Sequence, residues 1–242
     1  MIHKAKKSLG QNFLKSEIAL RKIIEAGEIK KDDVILEIGP GKGALTEKLL
    51  EHALLVIAVE KDLKLFEFLK NKFEKEIKKG SLALINEDIL EFDASEAIKK
   101  SYKIIANIPY NITGAILKKF LTEKNQPKTM VLMVQHEVAT RILARDKKES
   151  ILSISVKAYG EPRIIARVDK RCFSPTPKVN SAIIAIKNIS RKIFKENGID
   201  EEKFWRIVKM SFAHKRKKLS SNLKTICQSV SLTSLGNKRA ED

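Results

Sequence analysis

The strongest constraint on this chain is a unit of short apolar run, turn and helix that returns along its first 145 residues. Val34-Ile35-Leu36-Glu37-Ile38 is closed by Gly39-Pro40-Gly41-Lys42-Gly43, after which residues 44–52 carry Leu45, Leu49 and Leu50 at helical spacing. The pattern recurs: residues 54–59 end at Glu60 before a helical stretch over 62–78, residues 82–85 end near Asp88, and residues 102–106 end at Asn107. A fifth run, 130–134, leads into a helix over about 137–144. Strands and helices in alternation predict an α/β fold with a doubly wound parallel sheet. Ligands of such sheets sit outside the carboxyl ends of the strands, where Glu60, Asp88 and Asn107 fall.

The remaining segments frame this unit. After a basic arm, Ser16 caps a predicted helix that carries Ile18, Ile23 and Ile24 and ends near Gly27. Residues 151–159 fit both periods, and the helix is preferred. Residues 163–168 and 182–186 read as two strands joined through Phe173-Ser174-Pro175-Thr176-Pro177-Lys178, closing the sheet with an antiparallel pair. From about residue 200, Phe204, Ile207, Val208 and Phe212 offer one apolar helical face, followed by Lys215-Arg216-Lys217-Lys218. The division expected is a main domain over 1–189 and a small, basic, all-helical domain over 190–242, with the polar tail 229–242 predicted disordered.

Charge narrows the class of partner. The 242 residues carry a formal net charge of +18, and from Glu161 onward 19 Lys or Arg stand against 8 Asp or Glu. Clustered cations gain free energy by releasing counterions from phosphates, which points to a nucleic acid and to the C-terminal third. Ion-pair networks of a protein from a hot habitat are the alternative source of so many lysines. Cys172 and Cys227 form no C-x-x-C pair, so neither a disulfide framework nor a four-ligand zinc site is indicated; no metal is expected, and reduced thiols in the cytoplasm fit. No run resembles a signal peptide or approaches a membrane span, so a soluble, cytoplasmic protein is expected, and a monomer is the oligomeric state taken with it.

The chemistry lies at the strand ends. Gly39 and Gly41 leave room for close approach of a ligand, with a helix N-terminus behind them. The spacing is G-x-G-x-G rather than the G-x-G-x-x-G of dinucleotide binders, yet Glu60 stands where an acid accepts from ribose hydroxyls, so a nicotinamide oxidoreductase stays open on these two features. Asp88, with Ile89 beside it, adds an acceptor for the amino group of an adenine. Taken in order, the three sites describe a nucleoside carrying an amino acid, the shape of S-adenosylmethionine. Asn107-Ile108-Pro109-Tyr110 then places an amide, a fixed turn and an aromatic ring at one strand terminus. The Asn107 side-chain carbonyl and the Ile108 main-chain carbonyl could accept from an exocyclic amine and bias its nitrogen toward a nucleophilic geometry. Tyr110 could stack on a base taken out of its helix, and Phe173 is either the cover of the opposite face or a core aromatic.

Gly10-Gln11-Asn12-Phe13-Leu14 and residues 37–46, 107–113 and 173–183 resemble the ribosomal RNA adenine N6-dimethyltransferases, and the likeness runs over nearly residues 6–224. It implies a Rossmann-like S-adenosylmethionine-dependent methyltransferase domain with a small helical C-terminal domain. It further implies dimethylation of two adjacent adenosines in a hairpin near the 3′ end of 16S rRNA, with the assembling 30S subunit as partner. Carried over by position, Asn12 and Leu14 close over the cofactor, Gly39 and Gly41 approach its methionine part, Glu60 holds the ribose, and Asp88 and Ile89 the adenine. Asn107 then touches both cofactor and target amine. The 23S rRNA methylase of macrolide resistance shares these elements, so the basic segment with Lys215, Arg216, Lys217 and Lys218 is what favours the small subunit. A ribosome-assembly factor acting mainly by RNA binding is the alternative from another class. The family's chains continue through a further helix past the point where this sequence ends at Asp242.

Overall fold

The computed structural model describes residues 6, 10–214, 216–224 and 235–242. In chain order the elements are β1 (Phe13–Leu14), α1 (Glu17–Gly27), β2 (Val34–Ile38), α2 (Ala44–His52), β3 (Leu55–Val59), α3 (Leu63–Lys72), α4 (Glu74–Lys79) and β4 (Leu82–Ile85). There follow α5 (Ala94–Ala97), β5 (Tyr102–Asn107), α6 (Thr113–Thr122), β6 (Thr129–Gln135), α7 (His136–Leu143), α8 (Ile151–Lys157), β7 (Glu161–Val168), β8 (Phe173–Ser174) and β9 (Ser181–Lys187). The chain closes with α9 (Lys192–Glu196), α10 (Glu201–Ser211) and α11 (Leu219–Leu223).

Seven strands form one sheet in the order β4-β3-β2-β5-β6-β9-β7, with β2 through β6 parallel and β9 and β7 antiparallel. The alternation of β2 decides how it is covered: Leu36 and Ile38 pack on one face with Ile116, Leu117 and Phe120 of α6, while Ile35 packs on the other with Leu20 and Ile23 of α1 and Leu45 and Leu49 of α2. Strand order reverses between β2 and β5, and the crevice outside their carboxyl ends is the ligand position of such a sheet.

Several expectations are sharpened. The helix expected over 62–78 is broken at Phe73, which ends α3 and begins α4. The Phe73 ring is buried beneath the glycine turn, so that a Cβ on Gly43 would meet its Cε2 at 2.5 Å. The antiparallel pair at the sheet edge is present, but the later strand inserts between β6 and β7, and the connection between them contributes β8, which pairs with β1. Residues 151–157 are helical, with Ser150 as N-cap. On α10 the inward face is Phe204, Trp205 and Val208, whereas Ile207 is exposed, because Trp205 turns toward Tyr159. Of the tail expected to be disordered, residues 235–242 dock: Lys238 O accepts from Leu219 N at 2.8 Å and Glu241 O from Glu149 N at 2.8 Å. The rest of that tail lies outside the described residues.

The C-terminal helices join the main core through aromatic packing. Phe194 lies 5.5 Å from Tyr159 and 5.3 Å from Phe204 between ring centroids, and Trp205 stacks on Tyr159 at 6.1 Å. The Trp205 indole donates to the Tyr159 hydroxyl at 3.0 Å, and the Arg191 guanidinium bonds Glu201 at 2.9 Å. Phe194 is 5% exposed and links Tyr159 to Phe204 in this cluster. Phe194→Ala is expected to destabilise the protein by about 3–5 kcal/mol in denaturant unfolding followed through Trp205 fluorescence.

Candidate active site

A cavity of about 560 Å³ opens at the carboxyl ends of β2, β3, β4 and β5 and is lined by Gly39, Gly41, Glu60, Asp88, Ile89, Asn107, Ile108, Pro109 and Tyr110 together with Asn12 and Leu14 of the N-terminal arm. The structure thus brings to one cavity every strand-end residue singled out from the sequence. Its size falls within the usual range for a small-molecule site.

Its floor is built around Glu60, which is buried with 6% exposure. One carboxylate oxygen accepts from the Gly41 amide at 3.1 Å and the other from the Asp62 amide at 2.9 Å. Gly41 has φ +62°, where L side chains are strained, and a Cβ there would touch the Phe13 ring at 3.0 Å. The turn therefore stays bare on the side that faces the cavity, with the N-terminus of α2 behind it. Asp88 caps its own turn by accepting from Leu90 N at 3.0 Å, and the Lys61 ammonium at 2.5 Å holds its carboxyl below the usual carboxylate range.

Asn107 ends β5 and donates its side-chain NH2 to Asn12 O at 3.1 Å, so the amide oxygen is the part of that side chain left to accept from another group. Ile108 is buried, and Pro109, at φ −61° and ψ 129°, turns the chain into a single 3-10 turn over Tyr110–Ile112. Thr113 Oγ1 donates to Tyr110 O at 3.1 Å and ties that turn to α6. The arm is clamped independently, because Lys6 Nζ and Gln11 Nε2 each donate to the Asp62 carboxylate at 3.0 Å. Two acceptors for hydroxyls or an amine, a bare glycine turn and an amide oxygen in one cavity fit a nucleoside that carries an amino acid.

The chain belongs to the ribosomal RNA adenine dimethylase family, whose model matches residues 2–239. A Dehalococcoides mccartyi protein named Ribosomal RNA small subunit methyltransferase A is 42% identical over 224 residues, covering 91% of this chain and 75% of that protein. A Fusobacterium nucleatum protein of the same name is 42% identical over 229 residues, covering 93% and 85%. Among solved structures, a dimethyladenosine transferase from Plasmodium falciparum superposes with TM-score 0.74 at 31% identity over 88% of this chain and 74% of that one. The 23S rRNA methyltransferase ErmE superposes with TM-score 0.75 at 26% identity over 89% and 84%. The sheet of this family member is accordingly the Rossmann-like methyltransferase sheet, and its methyl donor is S-adenosylmethionine.

Phe173 stands apart from the cavity residues. It is 1% exposed, packs with Leu14 across the β1–β8 pair and does not line the cavity, where Ser174 stands instead. Apolar pairing with the arm has buried the ring, which places it as the core aromatic of the two alternatives. Of the predicted RNA-binding cations, Arg216, Lys217 and Lys218 are exposed on the turn between α10 and α11, away from the cavity lining, and Lys215 lies outside the described residues. That turn is shaped by the buried Asn222, whose side chain donates to Ser211 O at 2.6 Å and His214 O at 3.2 Å. Among the described residues no cluster of His, Cys, Asp and Glu could hold a metal ion.

Glu37 lines the cavity as well and was not singled out in the sequence reading. Glu37 is 1% exposed within the apolar strand β2 and accepts from Thr46 Oγ1 at 2.7 Å. Burial pushes its carboxyl up to about 8, opposed by the Thr46 hydrogen bond and reinforced by the charge of Glu60. Its signal was available: a lone carboxylate inside Val-Ile-Leu-Glu-Ile. Between about 4.5, the ordinary value, and about 8, the folded cofactor-free protein keeps a proton that the unfolded chain has lost, so stability falls as pH rises through that window. Thermal unfolding from pH 4 to 9 is expected to show this decline in the wild type, and Glu37→Gln to flatten it relative to the wild type.

Proposed function

We propose that this chain transfers methyl groups from S-adenosylmethionine to N6 of two adjacent adenosines in a hairpin near the 3′ end of 16S rRNA. The observation that carries this is the opening of Asn107-Ile108-Pro109-Tyr110 onto the same cavity as Glu60 and Asp88. The cofactor, when bound, supplies an electrophilic methyl carbon. Glu60 accepts from its ribose hydroxyls, Asp88 and Ile89 face its adenine, the bare Gly39-to-Gly41 backbone approaches its methionine part, and Asn12 and Leu14 close above it.

The target amine needs no strong base. Adenine N6 has its lone pair delocalised into the ring, and hydrogen bonds from its two hydrogens to the Asn107 amide oxygen and the Ile108 carbonyl favour a geometry in which the lone pair points at the methyl carbon. The nitrogen–carbon bond would form as the donor's carbon–sulfur bond breaks, and the N6 proton would then pass to bulk water. Tyr110 replaces the stacking that the flipped base gives up, worth roughly 1–3 kcal/mol.

The small subunit is favoured over the large by the names of the relatives at 42% identity. The helical segment from residue 190 serves as the RNA-binding unit, with Arg216, Lys217 and Lys218 tracking phosphates of a folded RNA. In this reading the enzyme acts in the cytoplasm, as a monomer, on the assembling 30S subunit.

Incubation with labelled cofactor and under-methylated small subunits, followed by mass spectrometric mapping, is expected to yield N6-dimethyladenosine at two neighbouring positions. Its absence there, or its appearance only in large-subunit RNA, overturns the assignment. Asn107→Ala is expected to lower kcat by about 10²-fold, the cost of misplacing a reacting group, with ribosome binding retained. Removing Lys217 and Lys218 together is expected to weaken RNA binding at all sequences and to shift the slope of log affinity against log salt by about two.

A further inference from the structure

The reaction as described uses the ring of Tyr110 and leaves its hydroxyl without a task. That hydroxyl shares a 2.5 Å hydrogen bond with Oγ of Ser181, a residue 71 positions later in the chain. Ser181 is 0% exposed, and its position is fixed from several sides. It opens β9 opposite Gln135 at the end of β6 and Val168 at the end of β7. The preceding residue is tied twice, Asn180 O accepting from His136 N and Asn180 Oδ1 from Lys170 N, both at 3.0 Å. The other end of Tyr110 is held by the Thr113 hydroxyl on its carbonyl. The tyrosine is therefore fastened at backbone and tip, while its half-buried ring lines the cavity.

A phenolic O–H lies in the plane of its ring. A partner at a fixed point thus sets where the ring tip lies and also favours the ring plane that contains that partner. Stacking needs the ring face at one orientation, so an untethered ring has to be ordered when the base arrives, and that ordering subtracts from affinity.

We propose that Ser181 is a positioning residue for methylation: its hydrogen bond holds the Tyr110 ring in the plane on which the target adenine stacks, before the base enters. This rests on the reading of the cavity as a target-adenine site. Ser181 itself touches neither cofactor nor base in this scheme and acts only through Tyr110.

The test compares full-length wild type, Ser181→Ala, Tyr110→Phe and the double variant on under-methylated small subunits. It is paired with an RNA hairpin of the substrate region carrying 2-aminopurine at the target position. Each single variant is expected to lose about three- to tenfold in kcat/KM for RNA, the scale of ordering one side chain. Cofactor affinity by calorimetry is expected to stay at the wild-type value. The double variant is expected to lose no more than the worse single one, since both remove the same bond. Stacking on Tyr110 quenches 2-aminopurine in the wild type, and Ser181→Ala is expected to relieve part of that quenching, which a merely structural loss would not do selectively. Wild-type kcat/KM and quenching in Ser181→Ala, additive losses in the double variant, or a matching loss of cofactor affinity each overturn the proposal. If Ser181→Ala does not fold, Tyr110→Phe decides, because it keeps both the ring and Ser181, and wild-type kcat/KM in it overturns the proposal. A wild type that neither methylates nor quenches the probe instead sinks the underlying adenine-site reading, and the proposal with it.

Discussion

The two hydrogen bonds accepted by the buried carboxylate of Glu60 hold the site together. One ties down the glycine turn after β2 through Gly41, and the other fixes the start of α3 through Asp62. Asp62 in turn caps α3 by accepting from Lys64 N and receives Lys6 and Gln11 of the arm. The arm is brought in by the second buried carboxylate, Asp62, while the Glu60 carboxylate aligns two segments that approach the cavity from different parts of the chain. The arrangement is stable because each carboxylate oxygen is matched to a main-chain donor, which offsets the cost of removing the charge from water.

Asn107 makes the corresponding link on the other side of the cavity. Its NH2 holds the arm through Asn12 O, and its carbonyl oxygen is thereby turned to accepting. The arm and the end of β5 are thus coupled through one amide. Beyond it, the Thr113 and Ser181 hydroxyls hold the two ends of Tyr110. Placement of polar groups at strand ends and loop starts makes the site rigid where chemistry needs it, while the sheet interior stays apolar.

Much of this was legible in the linear sequence, for identifiable reasons. The period-2 and period-3.6 patterns predicted the parallel sheet, and the glycine turn, Glu60, Asp88 and Asn107 were recognisable because each interrupts or ends an apolar run. Less was legible where a local pattern was satisfied by a distant partner. Residues 62–78 read as one helix, and the break at Phe73 arises from that ring seating under Gly43. Ile207 read as inward, and Trp205 took that side by bonding Tyr159, 46 residues away. Phe173 could serve either a base or the core, and only the pairing of β1 with β8 decided for the core.

By itself, then, the sequence determined the α/β class, the strand ends at which ligands bind and the residue types available there, because these follow from local periodicity and from breaks in it. Tertiary structure alone decided which groups meet. Asn12 reaches Asn107 across 95 residues, Tyr110 reaches Ser181 across 71, and the arm reaches Asp62 across more than 50. These contacts depend on sheet order and strand register, which many long-range apolar contacts fix cooperatively, and no local stretch of sequence encodes them.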